Sequence, residues 1–182
     1  MWGYTAIKRK SSFFVAFAVG KWTQKTCEEL IRKLKRLINQ PNKKSKLKIL
    51  SDGNDDYRFV LARIFSPDVL DYGQLIKHNE NGRLVWKEKR IVFGNMPLEE
   101  IETTCVEGYN GILRERLSCF VRRTKCIAKK KLRLENSLKF FQFYWNFVKT
   151  ISGNETPAMR EGICGKIWTW EKFLWRKLSV FN

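Results

Sequence analysis

Leu47-Lys48-Ile49-Leu50-Ser51-Asp52-Gly53-Asn54 is a short apolar run that stops at a polar, glycine-containing turn. Such a pattern is a strand ending in a turn, and it delivers an acid, Asp52, to a rigid and exposed tip. The period changes on both sides of it. Upstream, Thr23 to Ile38 reads as a helix: Cys27, Leu30, Ile31, Leu34 and Ile38 recur at the three-four spacing of one apolar face. Thr23 is placed to cap that helix, Arg32, Lys33, Lys35 and Arg36 occupy its other face, and Asn39-Gln40-Pro41-Asn42 ends it. Downstream, Asp56 to Phe65 reads as a short helix packing Tyr57, Val60, Leu61 and Ile64.

Further out, Met1 to Lys8 and Ser12 to Gly20 read as two strands joined by a hairpin-length polar connection. Asp71 to Lys77, Gly82 to Trp86 and Arg90 to Phe93 read as three more, separated by turns at Asn79-Glu80-Asn81-Gly82 and Gly94-Asn95. A long helical region then begins near Glu99 to Val106 and runs to about Lys149, with a break near Lys125. The tail, Ser152 to Asn182, closes on a helix holding Ile167, Trp168, Trp170, Phe173, Leu174 and Leu178. Strands, a helix, an acid-tipped strand and late helices define an α/β domain and exclude an all-α one.

At 43% hydrophobic and 14% aromatic, the chain of 182 residues can bury a sizeable core, which excludes a disordered polymer. Its net charge of +18 calls for a polyanionic partner, because such a surplus repels itself in a compact state. Nucleic acid comes first and an anionic membrane surface second. No apolar run approaches the roughly 20 residues of a membrane span. Lys8, Arg9 and Lys10 before Phe13 to Val19 imitate a signal peptide, but Ala16-Phe17-Ala18 lies inside the apolar run, where a buried strand fits better. The five cysteines (Cys27, Cys105, Cys119, Cys126, Cys164) form no CxxC pair and have one histidine, His78, for company. That spacing excludes a clustered zinc site and leaves reduced, mostly buried thiols.

The acids carry the chemistry. Asp52 alone reads either as a turn aspartate accepting backbone hydrogen bonds or as a functional group at a strand tip. With Val106 to Lys125 helical, Val106, Tyr109, Leu113, Leu117 and Phe120 form an apolar stripe. Glu107, Asn110, Arg114 and Ser118 then fall in file beside it, either as a polar flank or as the floor of a site. An acid on a strand tip and another on a late helix suit Mg²⁺, although two such ions need three or more carboxylates. No Asp or Glu precedes Glu28, so the first two strands contribute none.

Several segments, in order, resemble the insertion-sequence-one family of transposases. They are Met1-Trp2-Gly3-Tyr4, Leu50-Ser51-Asp52-Gly53, Val106-Glu107-Gly108-Tyr109-Asn110 with Leu113-Arg114, Val121-Arg122-Arg123-Thr124-Lys125 with Ala128-Lys129-Lys130, and Phe140 to Phe147. Thr156 to Ile163 resembles transposase tails. The resemblance covers about residues 1–149 and implies a ribonuclease H-like catalytic domain there, a mixed sheet flanked by helices, with 150–182 as a helical tail. It implies that Asp52 and Glu107 are metal ligands for Mg²⁺ (or Mn²⁺), and that Asn110 and Arg114 shape the floor of the site. The implied reaction is metal-dependent phosphoryl transfer on double-stranded DNA: cleavage at an element's end, then attack of the freed 3′-hydroxyl on target DNA. A homo-oligomer on DNA in the cytoplasm, associated with the nucleoid, is implied too. The family's first catalytic Asp would precede Met1 by a couple of residues. Met1 is therefore expected to be an internal start, a truncated gene or an engineered boundary, and the chain alone is expected to lack cleavage.

Arg122, Arg123, Lys125, Lys129, Lys130 and Lys131 follow the Glu107 helix among further cations and are the expected DNA contacts, by neutralising phosphates. Trp168, Trp170 and Trp175 read as core or dimer packing ahead of base stacking. Two alternatives stay open beside the transposase: a non-catalytic, basic nucleic-acid-binding remnant of one, and a basic membrane-associated protein.

Overall fold

The apolar run that imitates a signal peptide is a strand buried on both faces. The structure is a computed structural model and describes residues 2–121, 130–151 and 153–175. Trp2–Lys8 (β1) pairs antiparallel with Phe13–Gly20 (β2). The register shifts between Ala6, opposite Ala16, and Ile7, opposite Phe14, so Val15 bulges. The bulge turns Phe14 onto the face of Phe17 and Val19, while Ala16 and Ala18 line the other face. Small side chains there let a helix approach. Gln24–Leu37 (α1) packs Cys27, Leu30 and Ile31 into the same cluster, as the three-four spacing requires. Thr23 is its N-cap residue, but the Thr23 hydroxyl meets the Thr26 hydroxyl at 3.4 Å and caps no backbone N–H.

Leu47–Asp52 (β3) is followed by Asp56–Ile64 (α2) and then by Leu70–Glu80 (β4), which runs parallel to β3. A parallel pair needs a crossover, and α2 supplies it, sealing the first core with Val60 and Leu61. Arg83–Phe93 (β5) returns antiparallel to β4, giving the mixed three-stranded order β3-β4-β5. The hairpin turns at Asn81 and Gly82, with φ of 50° and 76°, as a tight two-residue turn demands. The two strands expected at 82–86 and 90–93 are therefore one. Lys87-Glu88-Lys89 interrupts the apolar pattern, yet the ladder to β4 carries the backbone straight through it.

The second core holds the other face of β2: Phe14, Phe17 and Val19 meet Tyr109, Leu113, Leu134, Leu138, Phe141 and Trp145. Thr104–Arg116 (α3) and Lys131–Phe143 (α4) supply these residues, with a single π-helical turn at Tyr144–Val148. α3 is shorter than the expected helix over 106–125. Leu117 is extended and Ser118–Phe120 forms a 3₁₀ turn, which folds Leu117 and Phe120 back onto this core. Ser118 thus leaves the file of Glu107, Asn110 and Arg114. The break expected near Lys125 lies outside the described residues.

No strand pairs with the far edge of β2 among the described residues, and side chains complete it. Asn146 accepts from Phe14 N at 2.8 Å and donates to Phe14 O at 2.9 Å. Gln142 donates to the carbonyls of Phe14 and Val15, and Trp145 Nε1 to that of Ser12. Each amide stands in for a neighbouring strand, so the edge is covered from Ser12 to Val15.

The tail contains Pro157–Arg160 (α5), capped by the Thr156 hydroxyl, and Trp170–Trp175 (α6). The expected helix over 167–178 begins at Trp170, and its end lies outside the described residues. Trp168, Trp170 and Phe173 pack on Phe140, Phe143, Tyr144 and Phe147, so two of the three tryptophans serve packing. Trp175 is exposed. The described cysteines are free, but only Cys27 is buried; Cys105, Cys119 and Cys164 are half-buried, which corrects the expectation of mostly buried thiols. Burial pushes the Cys27 thiol up to about 12. Among the described residues no helix is long and apolar enough to cross a membrane.

Candidate active site

β3 delivers Asp52 to its exposed tip, as its apolar run requires. Asp52 Oδ1 accepts from Asn54 N at 3.3 Å, and Asn54 Oδ1 accepts from Asp56 N at 3.0 Å, the turn-aspartate arrangement in tandem. The turn-aspartate reading is therefore present in the structure, alongside a groove that Asp52 lines with Trp22, Asp55, Asp56 and Lys77. The Asp52 side chain opens to water, but the protein mass around it pushes its carboxyl up, and the nearby charge of Glu107 pushes it further. Three phenols of the first core, Tyr4, Tyr57 and Tyr72, feel the Asp52 charge. Burial raises each of them, and the charge of Asp52 adds to the rise.

Glu107 arrives from the first turn of α3, where the helix dipole favours an anion. Lys77 Nζ donates to Glu107 Oε1 at 2.6 Å, and the Thr103 hydroxyl donates to the same oxygen. Partial burial opposes ionisation of Glu107, but these two hydrogen bonds outweigh it and hold the carboxyl below the usual glutamate range. Asp52 and Glu107, far apart in the chain, thus feel one another's charge with Lys77 serving both.

Lys77 and Thr103 were missed by the sequence reading. Thr103 stands one helical turn before Glu107, a spacing visible in the chain. Lys77 becomes visible only with the strand register. Asp52 pairs with Leu75, so Lys77, two residues on, projects from the same face of the sheet.

The other two expected site residues are not gathered there. Asn110 accepts from the Thr5 hydroxyl at 3.0 Å, which ties α3 to β1. Arg114 is exposed, about 10 Å along the helix axis from Glu107 at the α-helical rise, and makes no ion pair among the described residues. Of the expected DNA contacts, Lys130 is exposed at the start of α4, and Lys131 lies 3.5 Å from both Glu29 and Glu135. Arg122, Arg123, Lys125 and Lys129 lie outside the described residues.

The donor set does not fit a two-metal centre. Among the described residues no three His, Cys, Asp or Glu side chains converge on a point that could hold an ion. Glu107 Oε1 is already committed to an ammonium and a hydroxyl, and β1 and β2 carry no acid. What the arrangement can do is place two carboxylates, one raised and one lowered, within the influence of one lysine, with Asp52 and Lys77 lining an open groove. Comparison with protein-family models, with curated proteins and with solved structures finds no match to the chain.

Proposed function

We propose that the chain is a DNA-binding relative of the insertion-sequence-one transposases, with a ribonuclease H-like domain over residues 1–149, that grips duplex DNA and does not itself break it. The observation that carries this reading is the pairing of Glu107, on a late helix, with Lys77, which shares a sheet face with the strand-tip Asp52, in a chain of net charge +18. Two acids from separate elements support kinship with a phosphoryl-transfer domain. The charge supplies affinity for phosphates without sequence information.

Metal-dependent end cleavage and strand transfer would need a third carboxylate beside these two and the release of Glu107 from Lys77. Mg²⁺ (or Mn²⁺) belongs to this reading only where a chain supplies that acid. The same kinship makes Arg122, Arg123, Lys125, Lys129, Lys130 and Lys131 DNA contacts, and assembly as a homo-oligomer on DNA in the nucleoid follows from it. The test is a mobility-shift assay on a labelled duplex, with and without Mg²⁺ or Mn²⁺, followed by denaturing electrophoresis. A salt-sensitive shift with intact strands supports the proposal. No shift at low salt removes it. Metal-dependent nicking abolished by Asp52→Asn and by Glu107→Gln would replace it with an active transposase.

A further inference from the structure

The β4–β5 hairpin runs beyond the rest of the sheet as a two-stranded ribbon. Every residue of β5 from Arg83 to Lys87 is exposed, and so are Lys89, Arg90 and Ile91. A ribbon of two strands is marginal in water by itself, so its composition bears on what it meets. Its two faces differ. On one, His78 lies flat against Trp86 with ring centroids 3.8 Å apart, and Glu88 contacts both His78 and Arg90. That face is internally paired.

On the other face Leu75 pairs with Lys89 and Lys77 with Lys87. Two lysines directly opposite one another repel, which destabilises a cross-strand pair. Lys77 is answered by Glu107, but Lys87 and Lys89 form no ion pair among the described residues. The register that places Asp52 against Leu75 puts this lysine row on the same face as the two acids, and the charge of Lys87 acts on Glu107. The row is thus a cationic strip whose Lys87 and Lys89 lack a direct ion pair among the described residues, and it ends at Lys77, beside Glu107 and Asp52.

We infer that the lysine face of the ribbon, Lys77, Lys87 and Lys89, seats the phosphate backbone of duplex DNA and leads it to the groove that Lys77 and Asp52 line. The inference rests on the DNA-binding reading and specifies its surface. Phosphates relieve the Lys77–Lys87 repulsion, and a two-stranded ribbon fits a DNA groove. The carboxylates at its end keep the track from continuing across the groove, because like charge repels the backbone.

The experiment compares salt titrations of duplex binding for the full chain, for Lys87→Gln/Lys89→Gln, and for Lys10→Gln/Lys44→Gln. The last pair sits on exposed turns outside the β4–β5 ribbon. Each lost phosphate contact lowers the steepness of log K against log salt by about 1, so the ribbon variant should lose about 2. The distant pair should change it by well under 1, and Lys87→Arg/Lys89→Arg should keep the wild-type slope. Equal losses in the two glutamine variants would overturn the inference while leaving DNA binding intact. Absence of binding in the wild type would remove the underlying reading instead. A wild-type dimer free of DNA that becomes a monomer in the ribbon variant, with unchanged DNA affinity, would assign the face to a second copy and also overturn it.

Discussion

Lys77 Nζ stands 2.6 Å from Glu107 Oε1 while sharing a sheet face with Asp52, so the ammonium paired with the acid of α3 also acts through its charge on the acid of β3. Glu107 is held below the usual glutamate range, chiefly by Lys77 and Thr103 against the opposing effect of burial. A lowered carboxyl contributes stability above about pH 4.3, and loses it as the pH falls through the folded value. Lys77→Met should therefore weaken this acid-side loss, and an NMR titration should show the Glu107 carboxyl rising toward its ordinary range. Both partners are partly exposed, so the stability change should stay under about 1 kcal/mol.

Asp52 predicts the opposite sign. Burial and then the charge of Glu107 raise its carboxyl, so the folded chain holds that proton more tightly than the unfolded chain. Stability falls as the pH rises through the window from the usual aspartate value, about 3.9, to the folded one. Asp52→Asn should raise the melting temperature at pH 7, and the gain should shrink on acidification below that window. A lower melting temperature at pH 7 would contradict the placement of the acid.

The Tyr109 ring is surrounded by Phe14, Phe141 and Trp145, yet its hydroxyl is buried with no hydrogen-bond partner among the described residues. Removing an unpaired buried hydroxyl relieves a desolvation cost, so Tyr109→Phe should be neutral or stabilise by about 1 kcal/mol. Tyr109→Ala empties the centre of the second core and should cost about 3–5 kcal/mol in chemical denaturation.

Asn146 substitutes for a strand at the far edge of β2, matching both the N–H and the C=O of Phe14. Asn146→Ala strands the buried Phe14 N–H, at about 1–3 kcal/mol, while Gln142 still serves the Phe14 carbonyl. Hydrogen exchange at Phe14 N should quicken sharply in that variant. Protection unchanged from the wild type would show that the edge is closed by other means.

The extent to which the fold could be read from the chain follows from the range of the interactions involved. Helix α1, the Asp52-tipped strand and the Asn81-Gly82 turn are local: their apolar spacing and turn residues suffice. The continuity of β5 through Lys87-Glu88-Lys89 is not local, because its partner is β4 and charged residues on an exposed ribbon leave no apolar pattern. The end of α3 at Leu117 answers to tertiary packing, with Phe120 drawn back over Gly3, and the heptad-like stripe continued past it. At the site, Asp52 and Glu107 stand out as acids at structurally special places. Asn110 and Arg114 share a helix strip with Glu107, but one is taken by Thr5 and the other points into solvent. Lys77 required the β3–β4 register, which no single strand encodes.

The proposed function requires this chain to hold duplex DNA by its phosphates without cutting it. It is tested most directly by titrating a labelled duplex with the chain across a salt series containing Mg²⁺, and recovering the strands at the end of each titration. Affinity should fall steeply and linearly in log salt, with every strand intact. Binding indifferent to salt, or strands cut in the presence of Mg²⁺, would contradict it.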